Sequence, residues 1–197
     1  MNTLKDTRCY LAGPVEHDEK ATSWRHDVAL FLSEIGVKVY DPLKKPQWLD
    51  ETCHLEPSIY RKTMGGEFTD ITVKQVIEAN HMMRVADLRI VHAVDWLICY
   101  LPLNFTAGTF EEVYEALRVG KPVFFCCPDG IPSTWLLAAA ARDDNYEDCF
   151  FSDWQSLHEY LLAIHKGHVK LDPIKWIFLA WREEDLNKHA FKEPRWR

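Results

Sequence analysis

The stretch from Asp95 to Cys127 constrains the fold more than any other part of the chain. It holds two short apolar runs, Trp96 to Leu101 and Val123 to Cys127. Both have the length and continuity of strands buried on two faces, which do not alternate apolar with polar residues. Between them Phe110, Val113, Tyr114 and Leu117 fall at helical spacing, which predicts a helix over Thr109 to Val119. Gly120 followed by Lys121-Pro122 ends that helix, as glycine and then proline past a terminus do. Strand, crossover helix and strand make a βαβ unit, so the sheet is expected to be parallel.

The loop Pro102 to Gly108 then lies at the carboxyl end of its strand, where open parallel sheets bind ligands. Gly108-Thr109 lets backbone approach a ligand and opens a helix with unpaired N–H groups. Glu111 and Glu112 are expected in the first helical turn. Acids there most often only complement the helix dipole. A carboxylate aimed into a crevice at the sheet's end could instead serve as nucleophile or base.

The rest of the chain supplies the remaining strands. Arg8 to Ala12 is an apolar run stopped by Gly13-Pro14, and Val37 to Tyr40 is closed by Asp41-Pro42. Trp24, Val28, Phe31, Leu32 and Ile35 form the buried stripe of the helix between them, with Thr22 or Ser23 as its cap. Lys44 to Thr69 is irregular and too long for a simple connection, and such segments are often functional. Ile71 to His92 reads as helical with a broken stripe, consistent with two helices joined near Arg84 to Asp87, where Asp87 would cap the second. Ser133 caps an alanine-rich helix, Cys149 to Phe151 makes a fifth short strand, and Asp153 caps the helix Trp154 to His165. The compact domain is therefore expected over residues 1–167. A tail over 168–197, rich in tryptophan and charge, is expected to pack on the body or on a second subunit.

A chain of 197 residues can bury one substantial core. Its net charge of −7 argues against a nucleic-acid polymer as partner. No apolar run reaches the ~18 residues of a membrane span, and no signal-peptide core stands at the N-terminus, so a cytoplasmic protein is expected. Of six cysteines, Cys9, Cys99, Cys126 and Cys127 fall in buried strands, and Cys53 and Cys149 near loops. No CxxC pair and no HExxH occur among them and the nine histidines, so neither a metal nor another cofactor is expected.

Three pieces now stand in order: Tyr10-Leu11-Ala12-Gly13-Pro14, Asp87-Leu88 with Ile90 and Ala93, and Gly108-Thr109-x-x-Glu112 with Gly120-Lys121-Pro122. Together with Trp24-Arg25 and Asp41-Pro42, they resemble the nucleoside 2-deoxyribosyltransferase-like superfamily, which includes nucleoside-monophosphate N-glycosidases. The resemblance spans roughly residues 8–165. It implies a flavodoxin-like, Rossmann-like three-layer α/β fold around a mostly parallel five-stranded sheet. It also implies cleavage of the N-glycosidic bond of a nucleoside or nucleotide, in a dimer or larger homo-oligomer. The family's catalytic glutamate falls on Glu112, eight residues before Gly120, its aspartate on Asp87 and its first-strand tyrosine on Tyr10.

The chemistry agrees. Breaking such a bond develops oxocarbenium character, and a carboxylate beneath the anomeric carbon can trap it as a glycosyl-enzyme. Glu112 is the expected nucleophile and Tyr10 its orienter. Asp87 either protonates the departing base, which needs a raised pKa, or holds a sugar hydroxyl. Substrate contacts are expected from Gly13, Pro14, Gly108, Thr109, Arg25, Asn104 and Thr106. The deoxyribosyltransferases place a further base-contacting aspartate where Thr106 stands, with Asn104 nearby. The glycine-serine phosphate loop of the monophosphate hydrolases is replaced by Gly13-Pro14-Val15-Glu16, leaving Arg25, Arg61 or Arg84 and the Gly108-Thr109 helix start for a phosphate. The competing reading is a non-catalytic nucleotide sensor on the same fold. A metal-dependent phosphate-ester hydrolase is weaker, because Asp95 begins its strand and does not end it.

Overall fold

A computed structural model describes residues 3–15, 21–49, 59, 62–63, 65–66, 69–103, 106–140 and 148–180. Five strands, β1 (Arg8–Ala12), β2 (Lys38–Tyr40), β3 (Trp96–Tyr100), β4 (Val123–Cys126) and β5 (Phe150–Phe151), form one sheet in the order β2-β1-β3-β4-β5. Every pairing is parallel. This is the doubly wound flavodoxin-like order, and its switch point lies between β1 and β3. The helices are α1 (Ala21–Glu34), α2 (Asp70–Ala93), α3 (Ala107–Arg118), α4 (Thr134–Ala140), α5 (Trp154–His165) and the short α6 (Ile177–Ala180).

The strands β1, β3, β4 and β5 send alternate residues to two cores, which is why their apolar runs are continuous. On one face Cys9, Leu11, Trp96, Ile98 and Phe124 pack with Trp24, Val28 and Leu32 of α1 and Leu157, Leu161 and Ile164 of α5. On the other, Tyr10, Ala12, Leu97, Cys99 and Phe125 pack with Val91 of α2, Val113 and Ala116 of α3 and Leu136 of α4. Trp176 is buried in the first core against Phe124, with Val169, Leu171 and Phe178 around it. Residues 181–197 and Cys53 lie outside the described residues. Cys9, Cys99, Cys126, Cys127 and Cys149 are buried free thiols. No described helix is long and apolar enough to cross a membrane.

Three local expectations change. The segment Asp70–Ala93 is one helix, α2, with no join at Arg84 to Asp87. It contains neither glycine nor proline, so nothing breaks its backbone ladder. Asp87 is therefore a mid-helix residue and caps nothing. Helix α3 opens at Ala107, two residues early, with Thr106 in the extended N-cap position. This moves Glu111 and Glu112 into the second turn, where the dipole's pull on a carboxylate has fallen off. Helix α1 likewise opens at Ala21, ahead of Thr22 and Ser23. The cap on α5 is as expected: Asp153 Oδ1 accepts from Ser156 N at 2.8 Å.

The turn after β1 is held by close packing. A Cβ on Gly13 would stand 2.7 Å from Trp24 Cζ2 and 3.3 Å from the Tyr100 carbonyl oxygen. Trp24 cannot swing away easily, because it packs in a cluster of three rings, its centroid 5.3 Å from that of Tyr100 and 5.4 Å from that of Trp154. Gly13→Ala is expected to lower the unfolding free energy by about 1–3 kcal/mol, read from the urea midpoint at constant m value. An unchanged midpoint would show that the Trp24 stack yields freely.

Candidate active site

Tyr10 is the third residue of β1, and the pleat sends its side chain into the α2/α3 layer, fully buried. Its hydroxyl donates to Glu112 Oε1 at 2.7 Å. Burial pushes the phenol well above its usual pKa, and the Glu112 and Asp87 carboxylates push it the same way. Tyr10 is thus a fixed O–H donor at any physiological pH.

Helix α3 sorts its three glutamates by angle. Thr109, Val113 and Ala116 are its buried residues, and Glu112 lies on the same face at i+3 from Thr109 and i−4 from Ala116. Glu111 points away and pairs with Arg84 of α2. Glu115 pairs with His92 and Arg118, and those partners hold it down at a pKa of about 2. Glu112 moves in the opposite direction. Burial raises its pKa to about 7, the Tyr10 hydrogen bond opposes that rise, the Asp87 charge adds to it, and Lys45 and Arg25 lower it.

Asp87 reaches the site from the middle of α2. Its pKa is raised by burial against the pull of Lys45, whose Nζ lies 2.9 Å from Oδ1. Lys45 is absent from the sequence-derived set. The signal that could have found it is a lysine four residues after Asp41, in the segment that leaves β2 beside the switch point.

The other expected contacts lie around this center. Arg25 of α1 is fully buried. It donates from Nη2 to the Gly13 carbonyl at 2.8 Å and from Nη1 to the Pro14 carbonyl at 3.2 Å, and its Nε is 3.6 Å from Asp41 Oδ1. Its guanidinium lies 4.5 Å over the Trp24 ring. Arg25 therefore shapes the turn after β1. Thr106 and the buried Thr109 meet through their hydroxyls at 3.1 Å at the start of α3, with Gly108 exposed between them. Asn104 and Arg61 lie outside the described residues. Among the described residues no group of His, Cys, Asp and Glu could hold a metal ion.

All-parallel pairing, the order β2-β1-β3-β4-β5 and a carboxylate pair beside β1 define a flavodoxin-like α/β protein with its polar center at the switch point. No protein-family model matches the chain, and no curated protein matches it significantly. Among solved structures it is similar to the 2-deoxyribosyltransferase of Bacillus psychrosaccharolyticus, with a TM-score of 0.53 at 18% identity over 80% of this chain and 95% of that one. A 2-deoxyribosyltransferase of Leishmania mexicana gives 0.48 at 14% identity over 83% and 99%. A CMP N-glycosidase of Clostridium botulinum gives 0.45 at 13% identity over 80% and 98%. The chain therefore shares its fold with the first of these structures.

The raised Glu112 pKa has a consequence for stability. The folded state holds this proton more tightly than the unfolded chain, whose glutamate keeps the ordinary value of 4.5. The resulting stabilisation is complete below pH 4.5 and is lost as pH rises through about 7. Glu112→Gln removes the dependence, since its amide oxygen can still accept from Tyr10. Relative to wild type it is expected to gain on the order of 1–3 kcal/mol more at pH 8 than at pH 4, in paired urea titrations. A pH-independent difference would show that Glu112 ionises as an ordinary glutamate.

Proposed function

We propose that the protein is an enzyme that cleaves the N-glycosidic bond of a nucleoside or nucleoside 5′-monophosphate, with Glu112 as nucleophile. The observation that carries this reading is the 2.7 Å hydrogen bond from Tyr10 to Glu112 Oε1, made beside Asp87. That bond fixes one carboxylate oxygen and leaves the other to meet an anomeric carbon. The C1′–N bond breaks, its electron pair leaves with the base, and the Glu112 oxygen closes on C1′. Water then releases the sugar, or a second base takes it and gives a new nucleoside.

The environment of Glu112 fits this task. A carboxylate with few water contacts is a stronger nucleophile than a solvated one, and its pKa near 7 gives a rate that rises through neutrality. Asp87 is the second acidic group, with two chemically allowed roles, proton donor to the base or acceptor from the substrate. Arg25 supports the turn Gly13-Pro14, and the Thr106 to Thr109 start of α3 offers N–H groups to a sugar or phosphate. The likeness to a deoxyribosyltransferase structure supports the same reaction class. A cytoplasmic homo-oligomer is part of the proposal.

The test is a chromatographic screen of ribo- and deoxyribonucleosides and their 5′-monophosphates, each with and without a second free base. Base release is expected with at least one of them, falling by about 10³-fold or more in Glu112→Ala. A new nucleoside that forms only with added base identifies a transferase. Tight nucleotide binding by calorimetry without turnover would overturn the enzyme reading in favor of a sensor.

A further inference from the structure

The glycosidic reading uses Tyr10, Glu112 and Asp87 and leaves a buried cation beside them unexplained. Two adjacent lysines follow β2, and they differ completely. Lys44 is exposed. The Lys45 side chain is 6% exposed, and its Nζ lies 2.9 Å from Asp87 Oδ1 while donating to the Pro42 carbonyl at 2.7 Å. Taking an ammonium out of water is expensive unless it is paired and hydrogen-bonded, and breaking such a pair strands the remaining charge.

The backbone delivers this lysine deliberately. Asp41 closes β2 and turns the chain: its Oδ1 accepts from Leu43 N at 3.0 Å and its carbonyl from Lys44 N at 2.9 Å. The same Asp41 stands 3.6 Å from Arg25 Nε, and Arg25 grips the turn after β1. One aspartate thus ties together the turn that presents Lys45 and the arginine that shapes the other rim of the crevice. The lysine then crosses from the β2 side to α2.

We propose that Lys45 is a positioning residue of this site: it holds Asp87 as an oriented, ionised acceptor, so that Asp87 grips a sugar hydroxyl or a base N–H and does not supply the proton to the departing base. The inference rests on the glycosidic reading. Its physical ground is the contact itself, since an ammonium 2.9 Å from a carboxylate oxygen favors the anion and opposes the effect of burial. Glu112 then differs from Asp87 because its hydrogen bond comes from a neutral phenol, while the ammonium lies against Asp87. The groups facing Glu112 are Tyr10 from β1, Cys99 from β3, Asp87 from α2, Arg25 from α1 and Lys45 from the segment after β2. Of the two cations, Lys45 is the one in contact with the second carboxylate. Removing it would leave two acids without their nearest cation, and both would hold their protons to higher pH.

The test uses the full chain with side-chain carboxyls labelled with carbon-13, the two signals assigned by their loss in Asp87→Asn and Glu112→Gln. In the wild type Asp87 is expected to ionise at lower pH than Glu112. Lys45→Met is expected to raise both midpoints, Glu112 by about one unit, and Lys45→Arg to restore them largely. With any nucleoside the wild type cleaves, Lys45→Met is expected to lower kcat/KM by about 10–100-fold and to move the acid limb of its pH profile upward in step with the midpoints. A lysine that only fastened the loop would lower stability and leave both midpoints in place, and that result overturns the proposal. So does a wild-type Asp87 that keeps its proton to higher pH than Glu112, a measurement that needs no variant of Lys45 to fold. Base release absent from the wild type would instead defeat the glycosidic reading, while the midpoints still decide whether Lys45 sets the charge of Asp87.

Discussion

The hydrogen bond between Tyr10 and Glu112 joins β1 to the helix that follows its neighbor, the central strand β3. The Tyr10 hydroxyl is fixed because β1 is flanked by β2 and β3 and cannot shift without breaking both ladders. Glu112 is fixed because Val113 and Ala116 bury the same side of α3 against that sheet. A carboxylate so placed loses most of its hydration and regains one neutral hydrogen bond. The balance leaves it near 7, where small changes around it alter its charge. Glu115 of the same helix, which meets arginine and histidine at the surface, is instead held at about 2.

Around this bond lies a second arrangement that the reaction does not touch directly. Arg25 reaches the Gly13 and Pro14 carbonyls from α1, and Asp41 stands beside it while turning the chain after β2. Packing sets the geometry on the far side, where Trp24 fills the space a Gly13 Cβ would need. The crevice therefore has a rigid rim made by elements from both sides of β1, and its charged groups enter from α2, α3 and the segment after β2. This agrees with the rule that sites on parallel sheets gather at the switch point.

Much of this was legible in the sequence because it rests on short-range patterns. Three apolar runs and a crossover helix ended by Gly120 led to the parallel sheet. The family resemblance, through its spacing from Gly120, singled out Glu112 over Glu111. Helix starts were less legible, since Ala107 and Gly108 carry no apolar signal and the stripe begins only at Phe110. The break expected within α2 reflected a gap in its stripe. The structure shows that Ile77 and Met82 there are simply exposed, and a helix without glycine or proline tolerates that. Arg25 read as a phosphate ligand because a lone arginine in a helix gives no hint of the carbonyls above it. Lys45 had only its place after Asp41 to mark it: its partner lies in another element, and the pairing exists only once β2 and α2 are brought together.

The most direct measurement is the mass of the protein during incubation with a nucleoside. A nucleoside bearing fluorine at the sugar 2′ position destabilises the oxocarbenium-like transition state and slows release of a covalent intermediate. Intact-protein mass spectrometry followed by peptide mapping is expected to show one added glycosyl unit on Glu112, absent in Glu112→Gln and formed faster as pH rises through about 7. An adduct on another residue, or base release with no adduct at any time point, would contradict Glu112 as the nucleophile.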